Sequence, residues 1–391
     1  MKKMFFYAAV AAVAFASCSK DNGVEVPTIN EENEGLQPIE FRMSTNMEVT
    51  TRGGGAVGGA TDAENKWNKQ LLNVYMFDSC SMTLAKTAEG DVYFANDTII
   101  APAGASTGSA HIGTAAEPVV KYYGPNKEDV YDFFAYHADD ATKGATPVNV
   151  GDTVYTVSVT IDGTQDLMVA KAWLNKEDSA TYKTNGAFTS DDAFATACKR
   201  VYSSYSARRG VQPRFAFKHL LSRFVFSAEA ANNDALEIMI DSVKITEAYT
   251  TAKMTIAALN EENLGLSEWN NFATLALKTR NEDTLKIDTL KEVNKKVKLG
   301  ESLLLAPKAE GTKAAPATYE LEVYYSQMKG EKKLTDKYTA LIEAPEKTGY
   351  QFKKGYQYAV NIKIYGFQMI ELICDLTRWE DGGNIDIDSE E

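Results

Sequence analysis

Two glycine-rich stretches carry residue types that could do chemistry. Gly53, Gly55 and Gly58 in "RGGGAVGG" have the spacing of a dinucleotide-binding turn, in which glycines let the backbone approach a pyrophosphate at a helix N-terminus. That device needs a core strand before the turn and a helix after it. Neither pattern flanks this run, and a cluster of glycines reads as a linker. Gly104, Ser106 and Gly108, with His111 close behind, have the spacing of a nucleophile elbow. The elbow requires strand, sharp turn and helix in an α/β setting, with the acid and base later in the chain. "APAGASTGSAHIGTAAEP" has instead the small-residue composition of a loop. The histidines, His111, His137 and His219, form no H-E-x-x-H pair, and His219 shares the parity of Phe215 and Phe217, which makes it a core residue. The terminal "NIDIDSEE" lacks the glycine-centred loop of a calcium site and reads as a solvated acidic end. No catalytic residue, metal site or cofactor is expected.

Two other residues invite chemistry performed on the chain rather than by it. Arg52 ends "MEVTTR" and runs straight into Gly53, Gly54 and Gly55. A protease needs an extended segment that can enter its active site, so an arginine beside flexible glycines is an expected cut site, between Arg52 and Gly53. Cys18 is the second. Lys2 and Lys3 form a positive start, Met4 to Ala16 an apolar run, and Ala16 and Ser17 a small-residue end, together an export signal over residues 1–17. "FASC" resembles the lipobox of bacterial lipoproteins, whose cysteine is acylated and becomes the new first residue; Phe15 departs from the usual aliphatic residue. The remaining Cys80, Cys198 and Cys374 have no C-x-x-C spacing and are expected as small core residues, with room for one bridge.

The elements that must position Arg52 are legible on either side of it. Residues 19–36 are polar and acidic, as a tether would be. "PIEFRMSTNMEV" then alternates without a break: Ile39, Phe41, Met43, Met47 and Val49 on one parity, Glu40, Arg42, Ser44 and Glu48 on the other. Such alternation predicts a half-buried strand over 39–49, which must pair into a sheet to be stable. Arg42 is a second candidate cut site, but a cut there would leave half of that strand behind. Downstream, runs such as "LLNVYMFD", "DVYDFFAYH", "TVYTVSVTI", "FAFKHLLSRFVF", "ALEIMIDSVKITEAY", "AKMTIAAL", "TYELEVYYS" and "YQYAVNIKIYG" are rich in β-branched and aromatic residues. They predict an all-β fold of antiparallel sandwiches, with a short helical or irregular stretch around 189–210. The expected organisation is a lipidated propeptide over 18–52, a sandwich over 53–212 and a second sandwich over 213–391. Arg208 and Arg209 fall near that boundary and are read as structural.

Of 391 residues 44% are hydrophobic, enough for a sizeable core, and the net charge of −13 argues against nucleic acid as a partner. Removal of strand 39–49 would open a sheet edge and a hydrophobic groove, a hazard unless another chain fills it. Filling it with a neighbour's strand gives head-to-tail polymerisation.

The chain resembles the fimbrillins, subunits of type V pili. The resemblance rests on "FASC", "LLNVYMFD", "DVYDFFAYHADD", "QDLMVAKA", "FAFKHLLSRFVF", "GESLLLAP", "YQYAVNIKIYG" and "LTRWEDGG", in that order. It implies an outer-membrane lipoprotein precursor of two transthyretin-like β-sandwich domains, and later an extracellular fimbrium supporting adhesion. It implies that an arginine-specific protease removes the first strand and that the C-terminal strand of the next subunit replaces it. The partners so implied are other pilus subunits, in a homo- or heteropolymer, the protease, and the membrane before cleavage. Carried over by position, Arg52 looks like the processing site. "MIELICDL", with Ile370, Leu372, Cys374 and Leu376 on one parity, is a candidate donor, and equally the last strand of the second sandwich. Stalk and tip positions both stay open. The competing readings are an anchored lipoprotein or tip adhesin that binds a glycan or host protein without polymerising, and a hydrolase built on Ser106.

Overall fold

The computed structural model describes residues 36–44, 67–278 and 289–377, apart from short internal gaps, the longest of them 195–200. The chain enters as β1 (Phe41–Ser44) and continues through β2 (Trp67–Asn68), β3 (Leu71–Asp78), β4 (Ala95–Ile100), β5 (Ala103–Ala105), β6 (Thr107–Gly113) and β7 (Pro118–Val119). Next come β8 (Tyr131–His137), β9 (Val148–Val150), β10 (Val154–Thr160), β11 (Met168–Lys171) and the helices α1 (Lys176–Asn185) and α2 (Ser204–Ala207). The remainder is β12 (Arg214–Phe215), β13 (Lys218–His219), β14 (Ser222–Ala230), β15 (Ile238–Ala258), β16 (Gly265–Ala276), β17 (Val297–Leu305), β18 (Thr318–Lys329), β19 (Lys332–Glu343), β20 (Gln357–Gly366) and β21 (Met369–Thr377).

Three main sheets result. A nine-stranded sheet runs β12-β1-β6-β4-β3-β8-β11-β13 with β7 against β6; a six-stranded sheet runs β19-β18-β15-β10-β9 with β16 on β15; a four-stranded sheet runs β17-β14-β20-β21. The all-β sandwich expectation holds, with one correction. Two contacts are parallel, β1 with β12 and β14 with β20.

The centre of the nine-stranded sheet, β3 and β8, is buried on both faces, which explains why "LLNVYMFD" and "DVYDFFAYH" read as nearly unbroken apolar runs. On one face Leu72, Val74, Met76, Phe133 and Ala135 pack with Tyr182 of α1 and with Tyr202 and Ala207. On the other, Tyr75, Phe77, Phe134 and Tyr136 meet Val157, Val159, Met254 and Ile256 of the six-stranded sheet. A third core, holding Phe224, Phe226, Tyr319, Leu321, Phe352 and Tyr358, lies between the four-stranded sheet and the β15–β18 part of the six-stranded one.

The sequence suggested separate strands at "ALEIMIDSVKITEAY" and "AKMTIAAL"; the structure fuses them into β15, 21 residues long. Its first part pairs with β18 and its last part with β10. Register shifts at Ile245/Ala248 and Thr251/Lys253, and a positive φ of 50° at Glu247, re-aim the side chains without ending the strand. Ile240, Val243 and Ile245 therefore enter one core, and Met254 and Ile256 another. Helix α1 was not foreseen, because "KEDSATYKTN" has no apolar period; among its described side chains only Tyr182 and Asp178 are buried.

His219 is buried as expected, its Nδ1 2.8 Å from Asp166 Oδ1. His137 is also buried. Burial alone would lower its pKa, but the Asp139 carboxylate, 3.0 Å from Nε2, together with the Leu71 carbonyl and Asp166, turns the net direction upward. A raised folded-state pKa means the proton binds the folded chain more tightly. Its stabilisation is complete below about pH 6.5, the ordinary imidazole value, and fades as pH rises through the folded-state value. The denaturation midpoint is thus expected to fall as pH rises above about 6.5, and His137→Gln should flatten that slope. Midpoints measured across pH for both proteins test this; an unchanged slope in the variant would refute it.

Candidate functional site

Of the segment predicted as a removable strand, 39–49, the described part forms β1 at Phe41–Ser44, inside the nine-stranded sheet; residues 45–49 lie outside the described residues. β1 has a neighbour on each side: antiparallel to β6, with Phe41 opposite Ala110 and Arg42 opposite Ser109, and parallel to β12, with Arg42 opposite Arg214. The residues before it are held equally well. The Ile39 amide donates to the Lys121 carbonyl at 2.8 Å, and the Tyr123 amide to the Gln37 carbonyl at 2.9 Å. On the opposite edge a side chain does the work of a strand. The Gln212 carboxamide accepts from the Glu40 amide at 3.2 Å and donates to the Pro38 carbonyl at 2.9 Å. Proline has no N–H to offer a ladder, so its place at the start of the strand costs no bond. The Arg42 amide then donates to the Pro213 carbonyl at 2.8 Å.

Side-chain packing is strongest at Phe41. It is 2% exposed, and its ring lies edge-on to Phe94 at 5.3 Å and to Phe133 at 5.8 Å, and stacks on Phe215 at 5.6 Å. Ile39 is buried beside it. Lys121 closes one flank, its ammonium 4.3 Å over the Phe94 ring and 2.9 Å from Asp97. Tyr123 is wholly buried, and that burial, followed by nearby Tyr202, Tyr131 and Glu40, holds its pKa far above the usual phenol range. The opposite parity carries the charge. Asp178 of α1 accepts from Arg214 Nε at 2.8 Å and from its NH2 at 3.2 Å, and Arg42 NH1 stands 3.9 Å from the same carboxylate. The outcome is a slot with hydrogen bonds along both edges, an aromatic floor and a charged outer rim.

Of the predicted site residues, Ile39 and Phe41 line the slot, and Met43 pairs through its backbone with Gly108 and Phe215. Cys18, Met47, Val49, Arg52, Gly53, Gly55, Gly58, Cys80, Ser106 and Cys198, and the tail from 378 onward, lie outside the described residues. Arg42 sits on a strand paired at both edges, unlike the extended single segment that a protease requires. Arg209 lays its guanidinium 3.4 Å over the Tyr205 ring and donates from NH1 to the Tyr205 carbonyl at 2.9 Å. Gly104 and Gly108 lie on β5 and β6, so the chain runs from strand to strand where a nucleophile elbow needs a helix.

Ile370, Leu372, Cys374 and Leu376 occupy β21, half-buried against the third core. The Cys374 thiol is pushed up to about 12 by burial and then by Asp375, which keeps it unreactive. Among the described residues no helix is long and apolar enough to cross a membrane, and no cluster of metal-ligating side chains occurs.

Sequence reasoning missed Gln212, Asp178, Arg214 and the three wall phenylalanines, which lie far from β1 along the chain. The one signal was the clustering of aromatics in "DVYDFFAYH" and "PRFAF".

A sequence profile described as "Fimbrillin-like" matches residues 60–379. No curated protein matches the chain. Among solved structures, a provisionally assigned cell adhesion protein from Bacteroides uniformis is 14% identical, covering 89% of this chain and 99% of its own, with a TM-score of 0.48. A second, from Bacteroides ovatus, is 15% identical over 88% and 98% of the two chains, with a TM-score of 0.47. The fimbrial anchor protein Mfa2 from Porphyromonas gingivalis is 10% identical over 88% and 98%, with a TM-score of 0.33.

Proposed function

The chain belongs to the fimbrillin-like family, which makes it a structural pilus or adhesin subunit, and from that premise we propose a specific route by which it assembles. It is exported as a precursor, lipidated at Cys18 and held at the outer membrane. An arginine-specific protease cuts between Arg52 and Gly53. The segment ending at Arg52, with strand residues Ile39, Phe41, Met43, Met47 and Val49, then leaves, and a strand from a neighbouring subunit takes its place. β21, with Ile370, Leu372, Cys374 and Leu376, is one candidate for that donor. The product is an extracellular pilus subunit without enzymatic activity of its own.

The observation that carries this reading is the burial of Phe41 in a strand paired on both edges, eleven residues before an arginine that opens a glycine run. Cutting the chain there turns an intramolecular strand into a bound peptide. A covalently tethered strand rebinds at high effective concentration, whereas a severed one is lost by dilution. Its loss exposes Phe94, Phe133 and Phe215 and two sheet edges, β6 and β12, and that surface is satisfied again only by another strand.

Purified precursor treated with an arginine-specific protease should lose everything up to Arg52 and form chains visible by electron microscopy. Arg52→Ala should stay uncut and monomeric, while Arg42→Ala should be processed as usual. Polymer formed equally well by Arg52→Ala would overturn the proposal.

A further inference from the structure

The slot holds an aromatic knob in an aromatic box. Phe94, Phe133 and Phe215, the rings around Phe41, are themselves fully buried. They belong to the close-packed core rather than to an adaptable surface hollow. An aliphatic side chain in place of Phe41 would leave a void and give up three ring contacts. A second position takes Ile39, two residues away, and Gln212 fixes the register by binding the main chain at Pro38 and Glu40. A strand that fits therefore presents an aliphatic and an aromatic side chain two residues apart.

β21 of a second copy does not meet that requirement. Its inward side chains are Ile370, Leu372, Cys374 and Leu376, none of them aromatic. It is also engaged already, paired with β20 along its whole length from Thr377 opposite Gln357 to Met369 opposite Gly366. The one aromatic beyond it in sequence is Trp379. Whichever way the chain runs, its neighbour two residues off is Thr377 or Asp381, where the slot is lined for an aliphatic group.

We propose that the box of Phe94, Phe133 and Phe215 is the specificity element of the slot, and that the strand replacing residues 36–44 comes from a different polypeptide, one with an aliphatic and an aromatic residue two positions apart. The assembly is then heteromeric at this joint. This inference rests on the strand-exchange reading above.

The test uses the full-length protein cut at Arg52, with fluorescent peptides followed by anisotropy. The peptides are residues 36–46, the same peptide with Phe41→Leu, and residues 369–391 of this chain. The 36–46 peptide should enter the slot. The leucine variant should need roughly tenfold or more higher concentration, given the worth of buried ring contacts, and residues 369–391 should bind more weakly still. Binding of 369–391 as tight as that of 36–46, or no penalty for leucine, would overturn the heteromeric joint while leaving strand exchange standing. If not even the 36–46 peptide enters, the exchange reading itself falls, and this inference with it.

Discussion

Phe41→Ala is expected to destabilise the folded chain by about 3–5 kcal/mol, the range for removing a buried phenylalanine from a core that cannot collapse around the gap. The site cannot collapse, because its walls are held by backbone bonds that do not involve β1: Phe133 lies on β8, paired with β3, Phe94 accepts at its carbonyl from the Met76 amide just before β4, and Phe215 bridges to Ala172. Part of the loss is transfer of the ring to water, and part is the three ring contacts. Arg42→Ala is the matched control one residue along. Its side chain is 37% exposed, and Asp178 keeps its bidentate partner Arg214, so its contribution should stay within about 1 kcal/mol. Denaturant titration of the two variants beside the parent measures both. Equal effects would mean that the segment is attached by its rim charges and not by its core face.

The second large effect is expected from a covalent clamp. Arg42 and Ser109 are antiparallel partners on β1 and β6. Such partners place their Cα atoms about 4.5–5.5 Å apart, within the span a disulfide can bridge. The double variant Arg42→Cys with Ser109→Cys, oxidised, should still be cut at Arg52 yet keep its N-terminal piece attached and form no polymer. Reduction should restore release and assembly. Non-reducing electrophoresis, with and without reductant, reads out both steps. Polymer formed by the oxidised double variant would show that assembly does not pass through departure of this strand.

Much of this was written in local pattern. The alternation that begins at Ile39 announces the strand found at Phe41–Ser44, and the unbroken apolar runs at Leu71–Asp78 and Tyr131–His137 announce strands covered on both faces. The aliphatic–aromatic face at Ile39 and Phe41 was visible too. Its receiving box was not, since Phe94, Phe133 and Phe215 are brought together only by sheet order, and a period of two says which face is buried but not against what. Gln212 is a clear case. A lone polar residue in "GVQPRF" carries no pattern, and its role as a side-chain substitute for a strand arises only because Pro38 and Glu40 lie opposite it. The length of β15 escaped for a related reason. Its register shifts break the alternation that would have marked it as one element, although the backbone continues. Helix α1 escaped because helices held by one aromatic and one buried carboxylate show no amphipathic stripe.

The most direct test of the central claim is N-terminal sequencing of the protein recovered from the cell surface, together with its intact mass. Strand exchange after processing predicts a chain that begins at Gly53, without lipid. A chain that begins at acylated Cys18, with no shorter form in any fraction, would mean that β1 never leaves its slot. The protein would then be an anchored surface lipoprotein rather than a subunit that polymerises.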